Sequence, residues 1–295
     1  MRSTPRQKYW TGFNPAHMDS VNYCQQLATP PGSNLYYALL FYEPAIRRKL
    51  LCLFALQVEL QRTIENCQDP GVARMKLQWW LEEIERLYKE QPRHPVSKLL
   101  AEVGLKNQLE QHQLRELVGL AEHNINPAIN NSIRDLLDNC CRYQAPAWQL
   151  ASSVLGQDGD ERLAILAGLY TSVERLKNAL SILNKGYCIF PADLMHKADL
   201  DADALRYEPA TEKNANLLKE LFTELETELG KNLPKLSDSC PPPPLFALSL
   251  AGIARANCTL LKKQKDLREL PASSITPLRK LWISWLTQRR HRRAS

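Results

Sequence analysis

The chain has 295 residues, 44% hydrophobic and 24% charged, the composition of a globular protein long enough to bury a substantial core. Glycine is scarce, at 11 residues, or about 4% where roughly 7% is usual. The longest clean apolar run, Leu50 to Leu56, falls far short of the roughly 20 residues that span a bilayer. That argues against a transmembrane protein, and the lack of a dinucleotide fingerprint and of a P-loop argues against a Rossmann dehydrogenase and a P-loop enzyme.

The net charge of +6 is unevenly placed. Between Lys262 and Arg293 ten basic residues face only Asp266 and Glu269, a local balance of +8 that leaves the rest of the chain at −2. The eight cysteines (24, 52, 67, 140, 141, 188, 240, 258) form no C-x-x-C pair. They read as small hydrophobes in a reducing compartment, without structural zinc. The N-terminal stretch is basic but lacks an apolar signal core, so no secretory peptide is expected, and an organelle-import reading stays open.

Helical periodicity dominates from one end to the other. A first helix is expected over about 44–66, with Ile46, Leu50, Leu53, Phe54, Leu56 and Leu60 as its apolar positions. Asp69-Pro70 is a start signal for a second, about 71–90, which carries Val72, Met75, Trp79, Trp80, Ile84 and Leu87 and is ended by Pro92 and Pro95. Further helices are expected over about 110–125, 129–155, 160–184, 211–232, 244–264 and 275–291. Pro241 to Pro244 reads as a rigid connector between two of them. Strand-like alternation never persists. The fold class is therefore all-α, with an N-terminal extension over 1–18, one helical domain over 19–274 and a basic C-terminal helix and tail over 275–295.

In that last helix Leu278, Leu281, Trp282, Trp285 and Leu286 make an apolar stripe, flanked by Arg279, Lys280, Arg289, Arg290, Arg292 and Arg293. Two readings stay open. The stripe packs on the bundle while the arginines are solvated, or Trp282, Trp285, Arg289, Arg290, Arg292 and Arg293 meet an anionic membrane surface. No nucleic-acid partner is expected, because the basic residues form a tail without an accompanying motif. The six histidines show no ligand spacing, and His94 between prolines reads as structural. Asp135 and Asp138 read as a solvated helix face.

From about Asp19 to Gln288 the chain resembles the squalene and phytoene synthase family of prenyl transferases. The resemblance rests on Ser33-Asn34-Leu35-Tyr36-Tyr37-Ala38, Glu43-Pro44-Ala45-Ile46-Arg47-Arg48, Leu53-Phe54-Ala55-Leu56 and Asp69-Pro70-Gly71-Val72-Ala73-Arg74. It continues through Leu77-Gln78-Trp79-Trp80, Arg93-His94-Pro95-Val96 and Gly186-Tyr187-Cys188-Ile189-Phe190-Pro191-Ala192-Asp193-Leu194. It implies a single isoprenoid-synthase helical bundle with a central cavity. Active members of that family line the cavity with two D-x-x-x-D motifs. Residues four apart share a helix face, so two motifs aim four carboxylates at Mg²⁺, which neutralises a leaving diphosphate.

The positions matching the first motif are Gln61 and Glu65, and those matching the second are Asn178 and Ile182, so three of four carboxylates are missing. Glu59 does not substitute, because two residues earlier lies about 200° around the helix. Arg62 and Lys177 bring positive charge to the same places. In active relatives the serine matching Ser33 approaches the diphosphate; here it serves that purpose or caps the next helix.

Gln57-Val58-Glu59-Leu60 resembles one branch of the family, which includes a mitochondrial assembly factor of respiratory complex I and keeps the fold with eroded aspartate motifs. The reading is a non-catalytic protein with an assembly-factor or lipid-binding role near a membrane-associated complex, with no cofactor. Its expected partners are a membrane surface at the C-terminal helix, an isoprenoid or lipid in the cavity, and a protein client. Its expected setting is the cytoplasm, peripheral on the inner face of a membrane. The alternative is an active Mg²⁺-dependent prenyl transferase that condenses isoprenoid diphosphates.

Overall fold

The computed structural model describes residues 19–67, 69–237 and 243–294. The extension 1–18, Cys240, Pro241, Pro242 and the Arg293 side chain lie outside the described residues. Fourteen α-helices and two short 3-10 turns make up the described chain, with no strand among the described residues.

Helix α3 (Pro44–Glu65) is the axis of the molecule. Every residue from Leu50 to Gln57 is buried, and a helix that is apolar all round must be enclosed on all sides. Around it pack α1 (Ser20–Ala28), α4 (Pro70–Tyr88), α5 (Pro95–Glu102), α6 (Gln111–His123) and α7 (Ile133–Val154). Its one buried polar pair is Gln57, whose amide exchanges hydrogen bonds of 2.7 and 3.1 Å with that of Gln144 on α7. A second layer is built from α7 paired with α8 (Glu161–Lys177), which in turn meets α12 (Glu212–Ser237) and α13 (Leu245–Leu261). The α7–α8 approach needs Gly168, since a Cβ there would lie 3.0 Å from both Cys141 Cβ and Leu137 O.

Local signals explain the helix starts. Asp69 Oδ1 accepts the backbone N–H groups of Gly71 (2.6 Å) and Val72 (3.2 Å), ahead of Pro70 in the first turn. Pro95 also opens a helix, α5, where His94 Nδ1 accepts from Val96 N. Ser132 and Asp135 form a capping box at the start of α7, so Asp135 has a structural task, while Asp138 lies 4.0 Å from Arg134 on the helix surface.

Two expected spans and one expected helix face differ from the structure. The helix expected from about 129 begins only at Ile133, because Asn130 and Asn131 accept the N–H groups of Ala192 and Asp193 and hold 130–131 against that turn. The helix expected over 160–184 is interrupted at Asn178, whose N–H turns back to Arg175 O (3.0 Å) and separates α8 from α9 (Ala179–Asn184). On α4 the buried face is Ala73, Leu77, Trp80, Ile84 and Leu87, while Val72, Met75 and Trp79 are exposed. The helices α1, α2 (Asn34–Leu39), α5, α10 (Ala192–Lys197) and α11 (Ala202–Tyr207) complete the described bundle with α14 (Pro277–Ala294), which lies on α13 and α2.

Candidate functional site

The end of α3 and the turn after α9 meet through one side chain. Lys185, just after α9, donates its Nζ to the backbone carbonyl of Glu65 at 2.7 Å. On α3, Gln61 Nε2 donates to Glu65 Oε1 at 2.7 Å, the i, i+4 pairing that would have joined two metal ligands. Arg62 points outward and is exposed. Asn178 is exposed, its Nδ2 donating to Glu174 O (3.1 Å), and Ile182 packs half-buried against the core.

At the end of α8, just before Asn178, the charges go inward. Lys177 is buried with its Nζ 3.9 Å from Glu174 Oε1, and the same oxygen accepts from Asn34 Nδ2 at 3.0 Å. Lys280, reaching in from α14, is also buried and donates to Gly32 O at 2.9 Å. Burial lowers the Lys280 pKa, the neighbouring Lys177 charge lowers it further, and Glu174 opposes both. Behind the serine box, then, Lys177 is paired with Glu174 and Lys280 with the Gly32 carbonyl, within the electrostatic reach of the same carboxylate. Ser33 itself caps α2, its Oγ accepting from Tyr36 N at 3.1 Å.

Glu59 looks away from this place. It accepts a hydrogen bond from Tyr23 OH, on the side where the Tyr23, Trp79, Trp80 and His94 rings cluster edge to face. Burial holds His94 below the usual imidazole pKa, against the pull of Glu59 and Glu83. Glu83, fully buried, accepts from Arg93 N and His94 N at 2.7 Å and from Ser97 Oγ and Arg86 Nε. Burial alone would raise the Glu83 pKa, but those four donors hold it below the usual carboxylate value.

The family's metal chemistry can be tested against these donors. Mg²⁺ needs several hard oxygens, carboxylates above all. At the four motif positions Glu65 is the one carboxylate, one of its oxygens is taken by Gln61, and the Lys185 ammonium is held at the backbone carbonyl of the same residue. No group of three or more His, Cys, Asp or Glu side chains that could hold a metal occurs among the described residues. The donor set does not fit Mg²⁺.

The C-terminal helix is oriented differently from its stripe. Among the described residues of α14, Lys280 and Ser284 are the buried ones, and Ile283 closes on α13 where a Cβ on Gly252 would meet its Cγ2 at 3.0 Å. Lys280 therefore does not flank the stripe outside. Leu278 and Trp282 are 78% and 58% exposed, while Leu281, Trp285 and Leu286 are half-buried along the edge. Trp282 and Trp285 lie with ring centres 5.0 Å apart, and the Arg289 guanidinium covers Trp285 at 4.8 Å. Arg290 and Arg292 are exposed. Beside this edge a cleft of about 790 Å³ opens between α12, α13 and α14. Two smaller hollows, about 240 and 310 Å³, lie between α13 and α14 near Tyr42 and between α4 and α6. None of the three is lined by a motif position. No helix among the described residues is long and apolar enough to cross a membrane.

Lys185 and Glu174 are site residues that sequence reasoning did not single out, and Lys280 was placed on the outside of its helix. A lysine inside an arginine-rich helix, such as Lys280, carries no local signal that it points inward.

Comparison with known proteins agrees with this architecture. A solved squalene synthase, HpnC from Alicyclobacillus acidocaldarius, superposes with a TM-score of 0.56 at 14% identity, covering 92% of this chain and 94% of that one. A dehydrosqualene synthase solved in complex with ligand gives 0.67 at 12% identity, over 92% and 95%. Among curated proteins, complex I assembly factor 6 of Rattus norvegicus is 24% identical over 155 residues, 52% of this chain and 46% of that protein. The Homo sapiens counterpart is 23% identical over 143 residues, 48% and 43%. The chain thus matches somewhat less than half the length of these curated relatives. The squalene/phytoene synthase family pattern matches residues 28–273, and the chain belongs to that family.

Proposed function

We propose that this protein keeps the prenyl transferase fold without its metal chemistry and assists the assembly of a membrane-associated complex of the respiratory chain. The observation that carries this reading is the donor set at the motif positions. Gln61, Asn178 and Ile182 stand where carboxylates are needed, and the Lys185 amine closes the end of α3 at the remaining one. A divalent cation there would meet one shared carboxylate and a fixed positive charge, so the leaving diphosphate would go without the neutralisation its departure requires. The mammalian relatives named as assembly factors of complex I support the assembly role. The reading includes a cytoplasmic setting, peripheral on the inner face of a membrane, a protein client, and an isoprenoid or lipid held without being converted.

The test is direct. Purified protein incubated with farnesyl diphosphate and Mg²⁺ is expected to release no diphosphate beyond the buffer control. Steady release would overturn the non-catalytic reading. Deleting the gene is expected to lower the amount of assembled NADH dehydrogenase complex, and unchanged assembly would remove the assembly role.

A further inference from the structure

The edge of α14 that the bundle leaves uncovered combines two features that rarely meet on a solvated helix. It shows Leu278 and Trp282 to solvent, and it borders the 790 Å³ cleft whose apolar wall is Leu248, Ile283 and Leu286 and whose exposed cations are Arg255, Arg279 and Arg290. Arg279 and Arg290 make no ion pair among the described residues. Among the described residues the one acid lining the cleft is Glu226, held by Lys262 Nζ at 2.6 Å and by Thr259 Oγ1 at 3.0 Å. The cleft is therefore cationic as well as apolar.

We propose that this cleft and the outer edge of α14 form a docking surface for an anionic lipid bilayer. Arg255, Arg279 and Arg290 face the lipid phosphates, and Trp282 and Leu278 sit at the boundary between headgroups and acyl chains. Arginine matches phosphate geometry, and tryptophan is suited to a boundary that is wet on one side and apolar on the other. Arg289 and Arg292, both exposed on the same helix, add to the attraction.

The charges select this occupant over the others. A second copy of the chain docking through the same face would set arginine against arginine. The protein's own first 18 residues carry Arg2, Arg6 and Lys8 and no acid, so they are repelled as well. The inference deepens the peripheral setting proposed above by naming the surface. It stands whether or not the protein assists assembly, because its test reads membrane binding alone.

Full-length protein is mixed with vesicles of phosphatidylcholine alone, or of equimolar phosphatidylcholine and phosphatidylglycerol, and separated by flotation. The expected result is flotation with the anionic vesicles only, reversed by added salt. Soluble glycerol phosphate at matched concentration, which offers the phosphate without a bilayer, is expected not to release the protein. Arg279→Gln with Arg290→Gln is expected to weaken partitioning at least tenfold, at about fivefold for each basic residue near a headgroup surface. Trp282→Ala weakens it with an unchanged thermal melt, and Lys213→Gln, which removes a charge paired with Asp199 elsewhere, leaves it unaltered. Equal flotation with neutral vesicles, no flotation with anionic ones, or full binding by the double arginine variant would each overturn the proposal. So would release by glycerol phosphate, or capture of a protein client by a chain that does not float.

Discussion

The molecule handles positive charge in two opposite ways. Behind the serine box Lys177 and Lys280 are buried, and each has a named partner in Glu174 or the Gly32 carbonyl. Along the outer edge of α14, Arg279 and Arg290 are exposed without an ion pair among the described residues. Buried charge must be compensated where it stands, whereas exposed charge costs little and remains available to something that arrives. In this fold the interior cations are part of the architecture, and the exterior ones are free to act as contacts.

Substitutions can break that contrast. Glu174→Gln removes the carboxylate paired with buried Lys177 and opposing the charge of Lys280, and is expected to cost about 3 kcal/mol in urea unfolding, the lower end for a broken buried pair because Glu174 keeps some contact with water. A cost near zero would mean that the interior cations are not held by Glu174. Gln57→Leu, which strands the Gln144 amide in the core, is expected to cost about 2 kcal/mol, with Gln57→Leu/Gln144→Leu recovering much of it. At the other extreme Arg279→Gln is expected to change stability by less than about 0.5 kcal/mol, as for a surface site without a structural contact. If Arg279→Gln proved as damaging as Glu174→Gln, the division between inner and outer cations would fail.

Acid titration sharpens the same division. His94 and His291 both have pKa values lowered from 6.5 by burial, so the unfolded chain binds protons first as pH falls. Stability is therefore expected to decline from about pH 6.5 downward, and His94→Asn, which retains a capping side chain, should flatten part of that slope. Glu83 and Glu226 have carboxyl pKa values below 4.5, so their contribution is present above 4.5 and is lost as pH falls through their folded values. A stability that stays flat from pH 7 to pH 5 would contradict the first of these assignments.

Long helices were legible from the sequence because their apolar spacing runs over many turns. Those of 44–65, 70–88 and 245–261 begin and end within a residue or a few of the expected places. Short ones were not. Helix α1 buries Cys24, Leu27 and Ala28 at helical spacing, but nine residues give periodicity too little length to register. Pro95 was read as a terminator, and in the fold it also opens α5, since a proline in the first turn serves either purpose. The break at Asn178 left no mark in the pattern, because α8 and α9 carry apolar residues on both sides of it.

At the candidate site, the identities of Gln61, Asn178 and Ile182 were enough to reveal the loss of carboxylates, since the family resemblance supplied the positions. Which way Lys177, Arg62 and Lys280 point was not legible. Lys177 and Arg62 each sit beside a motif position, yet one turns inward to Glu174 and the other outward. That choice depends on which face of each helix the bundle covers, and for Lys280 on the Gly32 carbonyl lying within reach, which are tertiary facts. The stripe on α14 was seen correctly as apolar, but the helix is seated by Lys280, Ser284 and Ile283 instead.

The enclosure of α3 from Leu50 to Gln57 also sets a clock inside the molecule. With neighbours on every side, its backbone amides have no local route to solvent, and their hydrogen exchange requires the whole bundle to open. The exchange rate at Leu53 or Phe54 is then a direct gauge of global stability. Any lipid, client or metal that binds the folded chain alone must slow it in proportion to its affinity and concentration, wherever on the surface it binds.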